Sequence, residues 1–300
     1  MNWIIGMQKA IDYIEEHLTE EIDYDEVARE SFSSSFHFQR VFSILVGFTV
    51  GEYIRNRRLS LAGAELAAEG SRVIDVALKY GYESPDSFAK AFQKFHGILP
   101  SAARTGGTLR SFSRLSLKIS LEGGTSMNYR IEDKPAMTLT GYRRRFSGDA
   151  ADRQEQVSDF YITTRANQYL LQGYSGDIAT SYNVLTDFAD DGYDFYIAVR
   201  LDPWCLEHIE EELGEDAKRF ETIVIPPQRY LVCETERSNH PTQEVPELRK
   251  QAVSQWLPSS GYELSDAPEI AVHHWFYEHE NEKVNNSRYI ELWLPLKKAD

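Results

Sequence analysis

Three side chains near the start of the chain could do chemistry together: Phe36, Gln39 and Arg40, in the stretch SSSFHFQRVF. A guanidinium and a carboxamide are planar groups that can each make two hydrogen bonds at once, and an aromatic ring offers a flat apolar face. The spacing predicts a helix. Phe38, Val41, Phe42 and Leu45 recur at i, i+3, i+4 and i+7, the stripe that a helix turns toward a core. Phe36, Gln39, Arg40 and Ser43 form a second stripe on another face, and that outward stripe needs a partner.

A second set lies near the other end, in SRYIELWLPL. Period-2 alternation sends Ile290, Leu292, Leu294 and Leu296 to one face of a strand, and Tyr289, Glu291 and Trp293 to the other. A carboxylate between two aromatic rings suits a pocket for a bulky, often cationic ligand: the rings attract the cation and the carboxylate neutralises it. Trp204, Trp275 and Tyr193 are further candidates for the lining. His273, His274 and His279 lie near acids, but adjacent histidines on a strand face opposite ways, so a shared metal is not expected. No glycine-rich phosphate loop and no nucleophile elbow occurs, and no cofactor is predicted.

The elements that must position these two sets differ sharply. The 300 residues carry a net charge of −15, unevenly shared. Residues 31–110 hold 10 basic and 6 acidic side chains, whereas residues 121–300 hold 18 basic and 32 acidic. A basic block beside an acidic one fits a module that touches nucleic acid next to one that does not. No stretch approaches the roughly 18 apolar residues of a membrane span. With no secretion signal at the start and only Cys205 and Cys233 as thiols, the chain reads as cytoplasmic.

Residues 1–104 read as short helices, and part of this region is duplicated. VARESFSSSFHFQRVFSILVG (27–47) aligns with VALKYGYESPDSFAKAFQKFHG (76–97), with one extra residue in the second turn. Val27-Ala28 matches Val76-Ala77, Phe38 matches Phe88, Arg40 matches Lys90, and Gly47 matches Gly97. Each copy is a short helix, a tight turn and a longer helix, which is a helix-turn-helix present twice. A helix over roughly 50–69 joins them. Residues 105–127, with two Gly-Gly pairs and many serines, read as a linker. Residues 128–300 read as α+β, with two copies of a strand–helix–strand–strand unit. The fold class is thus multidomain: an all-α double helix-turn-helix, then an α+β domain.

Residues 1–104 resemble the DNA-binding region of the AraC/XylS transcription regulators, on SSSFHFQRVF, VGEYIRNRRLSLAGAEL and VIDVALKYGYESPDSFAKAFQKFHGILPSAAR. The C-terminal domain looks like a GyrI-like effector-binding domain, on YRIEDKPAMTLTGYRRR and SRYIELWLPL. The first resemblance implies that Ser35, Phe36, Gln39 and Arg40 face bases or adjacent phosphates of double-stranded DNA. Arg can clamp guanine, Gln can pair with adenine, and a ring can pack on a thymine methyl. Asp86, Ser87 and Lys90 match contact positions of the second reading helix. Lys90 and Lys94 suit phosphates, which fix register without reading sequence. The sequence departs from the family in the first turn, where Phe32 replaces the usual glycine and Ser33 the usual apolar residue. The second resemblance implies a small-molecule effector and matches Glu291 to an acidic pocket residue, although PEIAVHHW carries His273 where an aromatic is usual. RNA polymerase follows as an expected partner. Two alternatives remain: a pocket hydrolase using Glu291 to activate water, and a protein-binding domain. Fusion to a paired helix-turn-helix favours sensing over catalysis.

Overall fold

The computed structural model describes residues 3–68, 71–117, 127–275 and 286–299. The chain divides into two units, Met1–Glu122 and Gly123–Asp300.

Unit one is helical. Its elements are α1 (Trp3–Glu16), α2 (Tyr24–Glu30), α3 (Ser35–Val46), α4 (Val50–Ala67), α5 (Val73–Lys79), α6 (Pro85–His96) and α7 (Pro100–Ala103). Side-chain caps mark where helices begin. Ser34 accepts from the His37 amide to open α3, and Ser84 accepts from the Ser87 amide to open α6. Thr49 and Glu52 close a reciprocal capping box on α4, satisfying amides that the first turn would otherwise leave unpaired. Gly47 and Gly97 end α3 and α6 in the left-handed conformation, where a side chain would be strained.

The duplication is a duplication of backbone. In the first unit the amides of Phe32 and Ser33 donate to the carbonyls of Arg29 and Ala28. In the second, the amides of Gly81 and Tyr82 donate to Leu78 and Ala77. Phe38 and Phe42 are buried in the first, Phe88 and Phe92 in the second. The 18 residues of α4 span about 27 Å at 1.5 Å per residue.

The linker expected over 105–127 is corrected in its described part. Residues 105–117 are tied to the helices. The Phe112 amide donates to Ser60 Oγ, Leu115 N to the Tyr53 hydroxyl and Leu117 N to Gln8 Oε1. Phe112 packs its ring against Phe48 and Tyr53. Buried His96 joins in, accepting from the Arg110 amide at Nδ1 and bonding the Leu59 carbonyl through Nε2. Its glycines and serines predict a linker, but the segment also contains Phe112, Leu115 and Leu117, which are apolar, and Phe112 packs against Phe48 and Tyr53.

Among the described residues, unit two is a nine-stranded antiparallel sheet with helices. Its elements are β1 (Tyr129–Lys134), β2 (Met137–Ser147), α8 (Ala150–Ser175), β3 (Thr180–Ala189), β4 (Gly192–Val199), α9 (Pro203–Leu213), β5 (Glu221–Ile225) and β6 (Gln228–Glu234). Then come α10 (Val245–Gln251), a π-helical turn (Ala252–Trp256), α11 (Leu257–Ser260), β7 (Tyr262–Leu264), β8 (Glu269–His274) and β9 (Tyr289–Lys298). The main sheet order is β1-β6-β9-β8-β3-β4-β2-β5, with β7 added against β9. That order is a palindrome. β3-β4-β2-β5 on one side repeats as β8-β9-β6-β1 on the other, and the β3–β8 pairing, with Tyr182 opposite Val272 and Asn183 opposite Ala271 at its middle, marks the centre. The two strand–helix–strand–strand copies are therefore present. Each leading strand is exchanged: β1 pairs with β6 of the second copy, and β5 with β2 of the first.

Candidate functional site

On unit one, α3 and α6, the second helices of the two helix-turn-helix units, present different surfaces. On α3, Ser35, Phe36, Gln39 and Arg40 are each half-buried and lie away from buried Phe38, Val41 and Phe42. Gln39 donates to Ser35 Oγ at 3.1 Å, one turn back. This bond fixes the amide along the helix face. On α6, Asp86, Ser87, Lys90 and Lys94 are all exposed. Ser87 is engaged in the helix cap: its amide donates to Ser84 Oγ and its hydroxyl to the Ser84 carbonyl. The first turn carries a cost that the second does not. Phe32 adopts φ 58° where Gly81 adopts φ 82°, a region that bulky side chains rarely enter. Its ring is 59% exposed, with Lys9 Nζ 5.5 Å from its centre. Whatever offsets the strain is not core packing.

On unit two, a cavity of about 820 Å³ opens beside the palindrome's centre. Its floor is the face of β3, β4 and β8 that carries Ser181, Asn183, Phe195, Ile197, Ala271 and His273. One wall is α8, through Tyr161 and Arg165, and the other is α10, through Val245 and Arg249. At the floor, Asn183 Nδ2 lies 2.5 Å from the Tyr161 hydroxyl and 2.6 Å from His273 Nε2. Burial pushes the His273 imidazole down to a pKa of about 3 and the Tyr161 phenol well up, so both groups are neutral at pH 7. Trp275 stacks on His273 with centroids 5.1 Å apart and donates its indole N–H to Ser181 Oγ at 2.9 Å.

The structure does not bring the six predicted ligand-site residues together. Tyr193 and Trp275 line the cavity. Trp204, at the start of α9, is 65% exposed and outside it. Tyr289, Glu291 and Trp293 are on the other face of the sheet. Residues directly paired across antiparallel strands share a face. His273 pairs with Ile290 and Ala271 with Leu292, so the even positions of β9 belong to the cavity's face. Glu291 pairs with Val272 and Trp293 with Ile270, on the opposite face. There Glu291 already holds a cation: Arg130 Nη2 is 2.6 Å from its carboxylate, and the Trp293 indole donates to it at 2.8 Å. Lys134 Nζ lies 4.2 Å from the centre of the Trp293 ring. His274 stacks on Tyr289 on this same side, at 4.2 Å and 11°. The adjacent histidines thus face opposite ways as expected, while His279 lies outside the described residues. Cys205 and Cys233 are both free and buried.

Sequence reasoning missed Tyr161, Asn183 and Arg165. A tyrosine and an arginine four apart on one predicted helix were visible. Asn183, a polar residue in an otherwise apolar strand, was a further signal.

Comparison with known proteins agrees with this architecture. Residues 27–106 match the family described as helix-turn-helix domain, and residues 130–296, more than half of the chain, match the family of the integron-associated effector binding protein. The transcriptional activator AarP of Providencia stuartii is 45% identical over 102 residues, covering 34% of this chain and 76% of AarP. The right origin-binding protein of Escherichia coli is 30% identical over 151 residues, 49% of this chain and 50% of that protein. A solved structure of SAV2435 bound to tetraphenylphosphonium is 17% identical and covers 57% of this chain and 94% of its own, with a TM-score of 0.42. Across the first curated relatives it matches, the chain spans between 34% and 92% of their length. Among the described residues no helix is long and apolar enough to cross a membrane. The chain belongs to the integron-associated, GyrI-like effector-binding family and carries that domain behind an AraC-type helix-turn-helix region, in the Rob-like order.

Proposed function

We propose that the protein is a ligand-responsive transcription regulator that reads duplex DNA with α3 and α6 and takes its effector in the cavity between α8 and α10. In this reading residues 1–104 are the DNA-binding module, with 105–117 as its packed extension, and residues 128–300 are the sensor. The observation that carries it is a pairing within one chain: two helix-turn-helix units closed by the same turn hydrogen bonds, and a ligand-sized cavity.

Arg40 is the lead base reader, its guanidinium suited to the O6 and N7 of guanine, with Gln39 suited to adenine and Phe36 to a thymine methyl. Ser35 lies beside them for a phosphate or base edge. On α6, Lys90 and Lys94 hold phosphates and Ser87 stays close to the backbone, while Asp86 can approach the duplex only by accepting from a cytosine amino group. The effector is a bulky aromatic compound. An apolar floor with Phe195, Ile197, Tyr193 and Trp275 favours rings, and about 820 Å³ is within the range of drug-sized sites. RNA polymerase is included as a partner by likeness to AarP, a named activator.

The test starts with DNA sites selected from a random pool by the full chain. Aromatic compounds are then screened for a change in affinity for the selected site. Leu185→Trp, which fills the cavity from β3, should abolish the ligand response and leave ligand-free DNA binding unchanged. A ligand response that survives this substitution would place the effector elsewhere.

A further inference from the structure

Residues 109–117 follow α7 in sequence and run back along α4, from Gly63 toward Tyr53. Four of their main-chain amides donate to side chains that three helices present. Arg110 N donates to His96 Nδ1 of α6 at 3.1 Å, and Phe112 N to Ser60 Oγ of α4 at 2.9 Å. Leu115 N donates to the Tyr53 hydroxyl of α4 at 3.0 Å, and Leu117 N to Gln8 Oε1 of α1 at 2.9 Å. The Arg57 guanidinium of α4 donates to the Phe112 carbonyl. These acceptors and donors are themselves held. Tyr53 donates to Glu15 of α1 at 2.7 Å, and the Arg57 fork reaches both oxygens of the same carboxylate at 2.7 Å. His96, accepting at Nδ1, donates from Nε2 to the Leu59 carbonyl at 2.9 Å. Bonds to main chain fix the path of the segment, whatever its exposed side chains do.

The two apolar anchors of the segment go to different cores. Leu109 packs against the second unit's core, among Leu59, Leu66, Phe88 and Phe92. Phe112 packs against Phe48 and Tyr53, rings that also meet Phe42 of α3 in the first unit. Gly63 leaves the room for this crossing. A Cβ there would lie 2.7 Å from the His96 ring and 3.3 Å from Leu109. A single joining helix such as α4 sets the distance between two units along its axis, whereas their relative tilt depends on what crosses the joint. The segment crosses it, with α6 tied at one end and α1 at the other.

We propose that residues 109–117 are a clamp that fixes the tilt and spacing of α3 against α6, so that both helices meet the duplex in a preset geometry. The clamp uses none of the side chains proposed to touch DNA, and its residues are positioning residues. This inference rests on both helices binding one DNA site and adds what sets their geometry. A preset geometry makes docking of the second helix effectively intramolecular at high local concentration, and a loosened joint lowers that concentration.

The test uses the full chain and two duplexes: the selected site, and a shortened duplex that keeps only the segment under α3. The ratio of the two affinities is the gain from the second segment. Two variants loosen the clamp, Phe112→Ala and the double change Gln8→Ala with Ser60→Ala. The second keeps the core intact and places a good helix former at both positions. Each variant should lower the gain about tenfold while binding to the shortened duplex stays within about twofold. Loss of folded protein would instead weaken both duplexes alike. In the wild-type chain, the amides of Arg110, Phe112, Leu115 and Leu117 should exchange with solvent about 100-fold or more slower than unprotected peptide. Equal losses on both duplexes, an unchanged gain in the double variant, or unprotected amides would overturn the clamp and leave the two-helix reading standing. A wild-type chain that gains nothing from the second segment would overturn that reading, and the clamp with it.

Discussion

The two helix-turn-helix units share one backbone plan and have different surface chemistry. Turn hydrogen bonds, serine caps and left-handed glycine ends correspond one to one between them. Their outward faces do not. α3 offers a half-buried aromatic, amide and guanidinium, whereas α6 offers exposed lysines and an aspartate at its start. In the proposed function this difference becomes a division of labour, with shape repeated to reach two groove segments and side chains specialised for reading or for holding.

The largest effect expected on this comparison comes from Arg40→Ala. It should cost about 1–3 kcal/mol on a selected site and flatten preference at one base pair. Competition binding against a panel of single-base variants checks this. Equal losses on specific and random DNA would move Arg40 to the phosphate-holding class.

Next come the two turns. Gly81→Ala should destabilise unit one by about 1–2 kcal/mol, since the position needs positive φ. A Cβ there would also lie 3.0 Å from Arg58 Nη1. Phe32→Gly should do the reverse, stabilising by up to about 1 kcal/mol as the strain of a bulky left-handed residue is released. Thermal melts of both variants decide it. If Phe32→Gly also weakened DNA binding, the exposed ring would have a role at the duplex that offsets its strain.

Acid should act on both units through buried neutral histidines. His96 in unit one and His273 in unit two both have pKa values depressed by burial, His273 to about 3. An unfolded histidine titrates near 6.5, so between that pH and the folded value the unfolded chain binds more protons. The stability from each is complete above about pH 6.5 and is lost as pH falls, by at most about 1.4 kcal/mol per pH unit per histidine. Denaturant midpoints measured at pH 7 and 5 should fall on acidification. His273→Gln should flatten that dependence for the unit-two transition.

The smallest effect belongs to α6. Lys94→Ala should weaken all DNA sequences alike and reduce the salt slope by about one unit. A change in sequence preference would show that α6 reads bases after all.

Much of this was legible in the sequence because periodicity reports local structure directly. The stripes of α3, the repeat at 27–47 and 76–97, and the strand–proline–strand pairs β1–β2 and β5–β6 needed no long-range information. The candidate cavity was less legible, for a physical reason. Alternation in IELWL separates two faces of β9 but does not say which face the helices cover, and the cavity lies on the face opposite Glu291. Arg130, which holds that carboxylate, is 161 residues away in sequence. The exchange of β1 and β5 between repeats is equally invisible, because each pairs with a strand other than its hairpin neighbour. The segment 105–117 looked like a linker by its glycines and serines, whereas its few apolar residues decided its place.

On the proposed function, one chain carries two readers of one DNA site. Hydroxyl-radical footprinting of the full chain on a selected site, with binding stoichiometry measured in parallel, tests this most directly. The predicted result is one chain per site and two protected segments about one helical turn apart on the same face, with Arg40→Ala erasing sequence preference in one segment only. A single protected segment, or two chains needed to protect both, would contradict it.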